Sequence, residues 1–245
     1  MKIGVVIQAR VDSSRLPGKV LMQLPFLYGD TVLGHIVKRL KQIFDTEQII
    51  IATSEETIDL PIVQEAQRLG VNSYQGSKNN VLNRFVQAAK AYNLDTIIRI
   101  TGDNPIVLND ILDKCISQHI NNKVEYTRNS NLPIGTSFEI IQFDTLNKIN
   151  HILDINDPDR EHVTVYVKKN REYFCIQELN HEEYKNLSNV RLTLDYPSDF
   201  ALINLLFCYL KSKEYNYTLL DISAFFSEYP WISSINNQNI QKKSI

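Results

Sequence analysis

The sequence predicts an α/β fold, a Rossmann-like mixed and mainly parallel sheet with helices on both faces, and three observations carry that prediction. Short β-branched runs alternate with longer amphipathic segments through the first 120 or so residues. The strand-like runs are apolar throughout instead of alternating, as expected where both faces of a sheet are covered. The helix-like segments begin on capping residues or stop at glycine.

Residues 2–9 open the chain as a strand. Asp30 is the expected cap of a helix whose apolar stripe is Val32, Leu33, Ile36, Val37, Leu40 and Ile43. A second strand at 48–53 leads into a helix that stops at Gly70. Residues 71–74 form a short third strand, 80–92 a helix, 96–101 a fourth strand and 109–120 another helix. Successive β–α units of this kind make a parallel sheet with right-handed crossovers. Beyond residue 123 the rhythm changes. Short strands at 124–127, 137–143 and 173–179 alternate with helices at 144–153 and 159–168, and a strand at 190–194 precedes a helix at 198–211. No repeat or linker divides the chain, so 1–235 reads as a single domain, followed by a polar tail at 236–245 that is expected to fray.

Bulk properties exclude several classes of function. A net charge of −2 gives no general attraction to nucleic acid or to an anionic membrane, so any polyanion site must be a local cluster of Lys and Arg. Cys115, Cys175 and Cys208 are too far apart for a zinc site or a disulfide framework and read as buried or half-buried free thiols. The apolar N-terminal stretch is interrupted by Gln8 and Arg10, and the run 201–210 is about half a membrane span. A cytoplasmic protein is expected. Tyr215, Tyr217, Phe225, Phe226 and Trp231 read as a C-terminal packing cluster, since their neighbours are not basic.

Ligands of open parallel sheets bind outside the carboxyl ends of the strands. After the first strand comes Gln8-Ala9-Arg10-Val11-Asp12-Ser13-Ser14-Arg15-Leu16-Pro17-Gly18-Lys19. Three cations and two hydroxyls on a Pro-Gly turn suit a polyphosphate, although the loop is not a Walker A motif. After the fourth strand comes Thr101-Gly102-Asp103, and near the C-terminus Asp195 ends the expected strand at 190–194. Two strand-end carboxylates opposite a triphosphate held by Arg10, Arg15 and Lys19 would make a Mg²⁺ site, because Mg²⁺ takes one or two protein carboxylates and completes its shell with phosphate oxygens and water. Asp199 reads as a first-turn helix residue.

At these residues the chain resembles the cytidylyltransferases that activate acidic sugars, the CMP-sialate and 3-deoxy-manno-octulosonate enzymes, and most of all the spore-coat polysaccharide branch. The resemblance runs from Val5 to Leu21 and continues in order through Ile51-Ala52-Thr53-Ser54, Gly76-Ser77, Val81-Leu82-Asn83-Arg84 and Arg99-Ile100-Thr101-Gly102-Asp103. It then takes in Gly135-Thr136-Ser137-Phe138-Glu139, Arg160-Glu161-His162-Val163-Thr164 and Asp195-Tyr196-Pro197-Ser198-Asp199-Phe200. It implies a nucleotide-diphosphosugar-transferase type of fold, a homodimer, CTP and a sugar acid as partners, and Mg²⁺ as cofactor. Residues 1–122 would be the nucleotide-binding half and 123–235 the half for the acceptor and for dimerisation. Arg10, Lys19, Asp103 and Asp195 would be catalytic, with Asp103 and Asp195 on the metal. Gln8, Ala9, Arg10, Ser13, Arg15, Lys19, Thr53, Ser54, Ser77, Val81, Arg84, Thr101 and Gly102 would bind the nucleotide. Glu139, Arg160 and His162 fall where the acceptor should lie, and His162 and Glu139 would assist its deprotonation.

The sequence departs from that family's pattern at three places. Asp12 stands where a small residue is frequent, Asn80 where an Asp often precedes Val-Leu, and Ser137 where many relatives carry an acid. Transfer to a phosphosugar or phosphonate, a glycosyltransferase using Asp157-Pro158-Asp159, and a silent nucleotide-binding subunit are the alternatives. Asp157-Pro158-Asp159 opens a helix in this reading and serves as a cap.

Overall fold

The β-branched runs at residues 3–8, 49–54 and 96–101 form strands where the periodicity places them. The computed structural model describes residues 1–240. Its first half consists of β1 (Ile3–Gln8), a hairpin of β2 (Gln23–Leu24) and β3 (Asp30–Thr31), α1 (Val32–Leu40), β4 (Ile49–Ser54), α2 (Leu60–Leu69), β5 (Asn72–Gly76), α3 (Val81–Ala91), β6 (Thr96–Thr101) and α4 (Asn109–Asn121). The second half adds β7 (Tyr126–Ser130), β8 (Glu139–Gln142), α5 (Phe143–Ile152), α6 (Val165–Lys169), β9 (Ile176–Asn180), α7 (Pro197–Leu210) and α8 (Leu219–Glu228).

One seven-stranded sheet runs through both halves in the order β5-β4-β1-β6-β8-β7-β9. β1 pairs in parallel with β4 and β6, and β8 alone runs against its neighbours. The chain winds outward from β1 to β4 and β5 on one side and returns to β6 on the other. That reversal opens a crevice at the carboxyl ends of β1 and β6. The register sets Gln8 beside Thr101, so the residues that follow each strand emerge next to one another.

Both faces of the sheet are buried. Val5 and Ile7 pack into the layer that holds α1, α2, α4, α7 and α8, while Val6, Ile50 and Ile97 pack under α3, α5 and α6. Val32, Leu33, Ile36, Val37 and Leu40 of α1 are all fully buried. Each such side chain contributes about 1.5–3 kcal/mol of burial before entropy is counted. Among the described residues no helix is long and apolar enough to cross a membrane.

Several expectations are corrected. Thr31, not Asp30, caps α1, its Oγ1 accepting from Gly34 N at 2.8 Å, while Asp30 accepts from Lys38 Nζ and Tyr215 Oη. Ile43 lies beyond the helix and is partly exposed. The expected helix at 159–168 breaks at Val163, whose φ of 36° is foreign to a β-branched residue, leaving a 3₁₀ turn at Pro158–His162 and then α6. Residues 190–194 form no strand: the segment crosses the loops above the sheet, with one bridge between Ile134 and Arg191. Cys115 is buried, and burial pushes its thiol up to about 12, but Cys175 and Cys208 are exposed. Tyr217, Phe225 and Phe226 do join the core, yet Trp231 is 62% exposed. The expected frayed tail does not begin at Asn236, which is buried and donates to Arg191 O and Asp199 Oδ1. The rest of that expectation, residues 241–245, lies outside the described residues.

Gly70 and Gly135 are two of the three glycines that hold positive φ among the described residues. Gly70 ends α2 at φ +64°, and the nearest atom to an added Cβ is Lys41 Nζ at 3.9 Å. Gly135 has φ +93°, and an added Cβ would meet Thr193 N at 2.5 Å. Gly70→Ala is therefore expected to cost about 1 kcal/mol, from backbone strain alone. Gly135→Ala should cost roughly 3 kcal/mol or more, because strain and a backbone clash combine. Urea midpoints of the two variants check the ordering, and equal shifts would contradict the close seating of the 133–135 loop on Thr193.

Candidate active site

The loop after β1 is built to lie over the sheet ends. Gly18, at φ 71°, turns the chain so that Lys19–Leu21 can form a 3₁₀ turn, and Lys19 thereby points inward, with only 7% of it exposed. Val11 N donates to Asp59 Oδ1 at 2.7 Å, while the hydroxyl of Ser54 at the end of β4 holds the other carboxylate oxygen. Gly102 N donates to Gln8 O at 2.7 Å, and Ala9 N to Ala52 O at 3.1 Å, closing the loop bases against each other.

Two aspartates meet beneath that loop. Leu194 N donates to Asp103 O at 2.8 Å, so the segment before α7 is clamped to the turn after β6. Lys19 Nζ lies 2.8 Å from Asp103 Oδ2 and 3.0 Å from Asp195 Oδ1. Arg15 Nη2 reaches the same Asp195 oxygen at 2.7 Å, and Arg191 Nη2 takes the other oxygen at 2.7 Å. Arg191 also pairs with the fully buried Asp199, which caps α7 by accepting from Asp195 N and Tyr196 N. Burial pushes the Asp195 carboxyl upward, but Lys19, Arg15 and Arg191 together hold it below the ordinary carboxylate range.

A cavity of about 990 Å³ opens above this junction. Gln8, Ala9, Arg10, Ser13, Arg15, Lys19, Thr101, Asp103, His162 and Asp195 all line it. Arg10 pairs loosely with Glu161 at 3.9 Å across the cavity, and both side chains are largely in solvent. Asp12 is matched by Lys78 of the loop before α3, so its charge does not face the cavity alone. The far wall, from Asn129 through Gly135 and Ser137, carries amides, hydroxyls and the apolar Leu132, Pro133 and Ile134, but no ionised side chain.

The remaining sequence-predicted residues lie elsewhere. Gly102 is buried, and a Cβ there would press on Ala9 and Gln8 O at 3.0 Å. Thr53, Ser54, Val81 and Arg84 are buried and, with Ser77, flank the cavity without lining it. Arg84 Nη1 donates to Ser77 O at 2.9 Å, and burial followed by the nearby Arg10 guanidinium pulls Arg84 down to about 10. Asn80, the departure at the start of α3, is its cap and accepts from Asn83 N at 3.0 Å. Asp157 accepts from Asp159 N, and Asp159 pairs with Lys169, so the Asp-Pro-Asp triplet is a cap away from the cavity.

Two of the three acceptor residues are corrected. Arg160 does not face the cavity: its guanidinium donates to Asp154 O, Asn150 O, Asn150 Oδ1 and Leu153 O, closing the end of α5. Glu139 lies beneath the cavity, accepting from Arg99 Nη1 at 2.6 Å, Lys168 Nζ at 2.5 Å, Thr164 Oγ1 and Tyr126 Oη. Burial alone would raise this carboxyl, but Arg99 and Lys168 outweigh it and hold it at about 2. A carboxylate that acidic, and so surrounded by donors, cannot serve as a general base near neutrality. Sequence reasoning missed Arg99, Arg191, Asp59 and Lys78. Arg191 had a signal, since it lies four residues before Asp195 and would share a side of an extended segment with it.

The donor set at the junction fits a hard divalent cation. Asp103 and Asp195 already share one cation, the Lys19 ammonium. Among the described residues no group of three or more His, Cys, Asp or Glu converges, so any such ion would rely on substrate oxygens and water to complete its shell.

Comparison with known proteins agrees with this geometry. The family described as cytidylyltransferase matches residues 4–222. The spore coat polysaccharide biosynthesis protein SpsF of Bacillus subtilis is 34% identical over 206 residues, 82% of this chain and 85% of that protein. A solved cytidylyltransferase from Leptospira borgpetersenii serovar Hardjo-bovis superposes with a TM-score of 0.88 at 34% identity, covering 99% of this chain and all of that one. The CMP:2-keto-3-deoxy-manno-octonic acid synthetase solved with CTP shares the fold at a TM-score of 0.64 and 16% identity, over 85% of this chain and 99% of its own.

The Glu139 network predicts an acid-sensitive fold. Its folded value of about 2 lies below the ordinary 4.5, so its stabilisation is complete above pH 4.5 and is lost as pH falls toward 2. Glu139→Gln should lose about 3–5 kcal/mol at pH 7, because Arg99 and Lys168 lose their buried partner. It should also flatten the pH 4.5-to-2 limb of the stability curve. Denaturant titrations of both proteins at several pH values check this, and parallel acid limbs would contradict it.

Proposed function

The chain belongs to the cytidylyltransferase family, and from that premise we propose that it transfers the CMP group of CTP to a sugar acid, with Mg²⁺ and with release of pyrophosphate, for the synthesis of a surface polysaccharide. The observation that carries this reading is the Lys19 ammonium held between Asp103 and Asp195, under the Arg10–Lys19 loop and at the switch point of the sheet. The reading of CTP and of a sugar acid is supported by the resemblance of the segments from Val5 to Phe200 and by the fold shared with a synthetase solved with CTP.

An oxygen of the acceptor attacks the α-phosphorus, and pyrophosphate leaves in line. Arg10, Arg15 and Lys19 hold the phosphates and meet the charge that develops on their oxygens. The five cations Arg10, Arg15, Lys19, Lys78 and Arg191 are matched by the five carboxylates Asp12, Asp103, Asp195, Asp199 and Glu161. The cluster thus offers a triphosphate little net positive charge of its own. Asp103 and Asp195 would hold Mg²⁺, which supplies that missing charge when bound. Glu139 takes no proton in this scheme. His162, which lines the cavity, is the group proposed to take the acceptor's proton.

Pyrophosphate release with each ribonucleoside triphosphate and a panel of sugar acids, sugar phosphates and phosphonates tests the reading. CTP with a sugar acid should give turnover that requires Mg²⁺. Asp103→Asn should lower kcat by about 10² or more while leaving the denaturation midpoint near wild type, since Asp103 is partly exposed and shares its cation with Asp195. Near-normal turnover in that variant would remove Asp103 from the metal site.

A further inference from the structure

The cavity has a cation outside the phosphate loop. Of the side chains that line it, Arg10, Arg15 and Lys19 belong to the loop after β1, and Arg99 rises from the middle of β6 on the other side of Asp103. Its side chain is only 17% exposed, and its place is fixed: Nη1 lies 2.6 Å from Glu139 Oε2, and Nη2 donates to Gln8 Oε1 at 3.1 Å.

The charge of Arg99 is not cancelled by its partner. Glu139 also holds Lys168 Nζ at 2.5 Å, so two cations share one buried carboxylate and the group keeps a positive charge. The lining also offers Asn104, Ser130 and Ser137, groups that suit sugar hydroxyls, and its remaining carboxylate from the second half outside the Lys19 junction, Glu161, is paired with Arg10. Asn104 Oδ1 is buried there without a partner. One rigid guanidinium amid neutral donors and acceptors suits an acceptor with one planar anion and several hydroxyls. A phosphorylated acceptor, with two negative charges, would find a single surplus cation.

On the reading of the chain as a cytidylyltransferase, we propose that Arg99 is the specificity-determining residue that holds the acceptor's carboxylate, and that Glu139 is a positioning residue acting through it. Glu139 fixes the guanidinium plane from beneath, and Lys168 keeps Glu139 from neutralising it. Acceptor choice therefore depends on Arg99, whereas CTP is held by the loop at Arg10–Lys19.

The test compares 3-deoxy-manno-octulosonate and N-acetylneuraminate, each beside its methyl ester, with a hexose 1-phosphate, in pyrophosphate release with CTP and Mg²⁺. CTP binding is measured separately by calorimetry. The wild type should use at least one acid and discriminate against its ester. Arg99→Gln should raise the acceptor KM for the acid by roughly ten- to a hundredfold, the range expected for losing a charged hydrogen bond. It should leave the ester's KM and the Kd for CTP unchanged. The double variant R99Q/E139Q removes both members of the buried pair, so it keeps the test readable if the single variant does not fold, and it should show the same loss of discrimination. Glu139→Gln should raise the acid's KM without moving the Kd for CTP. Discrimination that survives in the Arg99 variants, equal loss of CTP binding, or turnover of the phosphate alone would each overturn the proposal. If the wild type does not bind CTP, the cytidylyl reading itself fails, and the role of Arg99 with it.

Discussion

The ammonium of Lys19, held between Asp103 and Asp195, is the contact on which the rest of the site depends. Its three members are 84 and 176 residues apart in the chain, and they come from the loop after β1, the turn after β6 and the approach to α7. Without a cation between them, two carboxylates in a partly buried place would repel each other. With it, the loop, the turn and the helix entry are drawn to one point. Arg15 and Arg191 complete the arrangement on Asp195, and Asp199, held in turn by Asn236 and Asn239, keeps Arg191 in place.

The sheet makes this meeting possible. Because the chain reverses its winding between β1 and β6, two adjacent parallel strands end side by side with no helix between their carboxyl ends. Polar groups can enter there without disturbing the core layers above and below. The second half of the chain extends the same sheet through β8, β7 and β9 and returns over its top as the segment before α7. The cavity is therefore walled by both halves: a charged loop from the first, and from the second the 129–137 wall, which is uncharged, together with Asp195 and Glu161, which pair with that loop. A nucleotide's phosphates and a polyhydroxylated partner need those two kinds of surface.

The first half was legible in the sequence because its local signals agree with the fold. The strand at 96–101 and the helix from Asn80 need no tertiary information to be found, since β-branched runs and caps mark them. Arg10, Arg15, Lys19 and Asp103 were legible for a related reason, as they follow strand ends, whereas Asp195 was found from strand composition at 190–194 although no strand forms there. What the sequence concealed was which partner each polar residue takes. Thr31 and Asp30 are both capable caps, and only the nearby Lys38 and Tyr215 draw Asp30 away. Arg160 and Glu139 fall in segments that resemble binding motifs, yet long-range contacts turn Arg160 to the end of α5 and Glu139 to a buried ionic group. Arg99 was overlooked because it interrupts an apolar strand, a position that periodicity treats as noise. Residues 190–194 have strand composition, but the sheet has no open place for them beside β6, where β8 is already paired.

The measurement that bears most directly on this account is a crystal structure of the protein with CTP and Mn²⁺, located by its anomalous signal. The account predicts a metal ion bound by Asp103 and Asp195, with Lys19 moved from between them onto a phosphate oxygen and the base on the Thr53–Arg84 flank. A triphosphate bound elsewhere, with Lys19 still bridging the two aspartates, would contradict it.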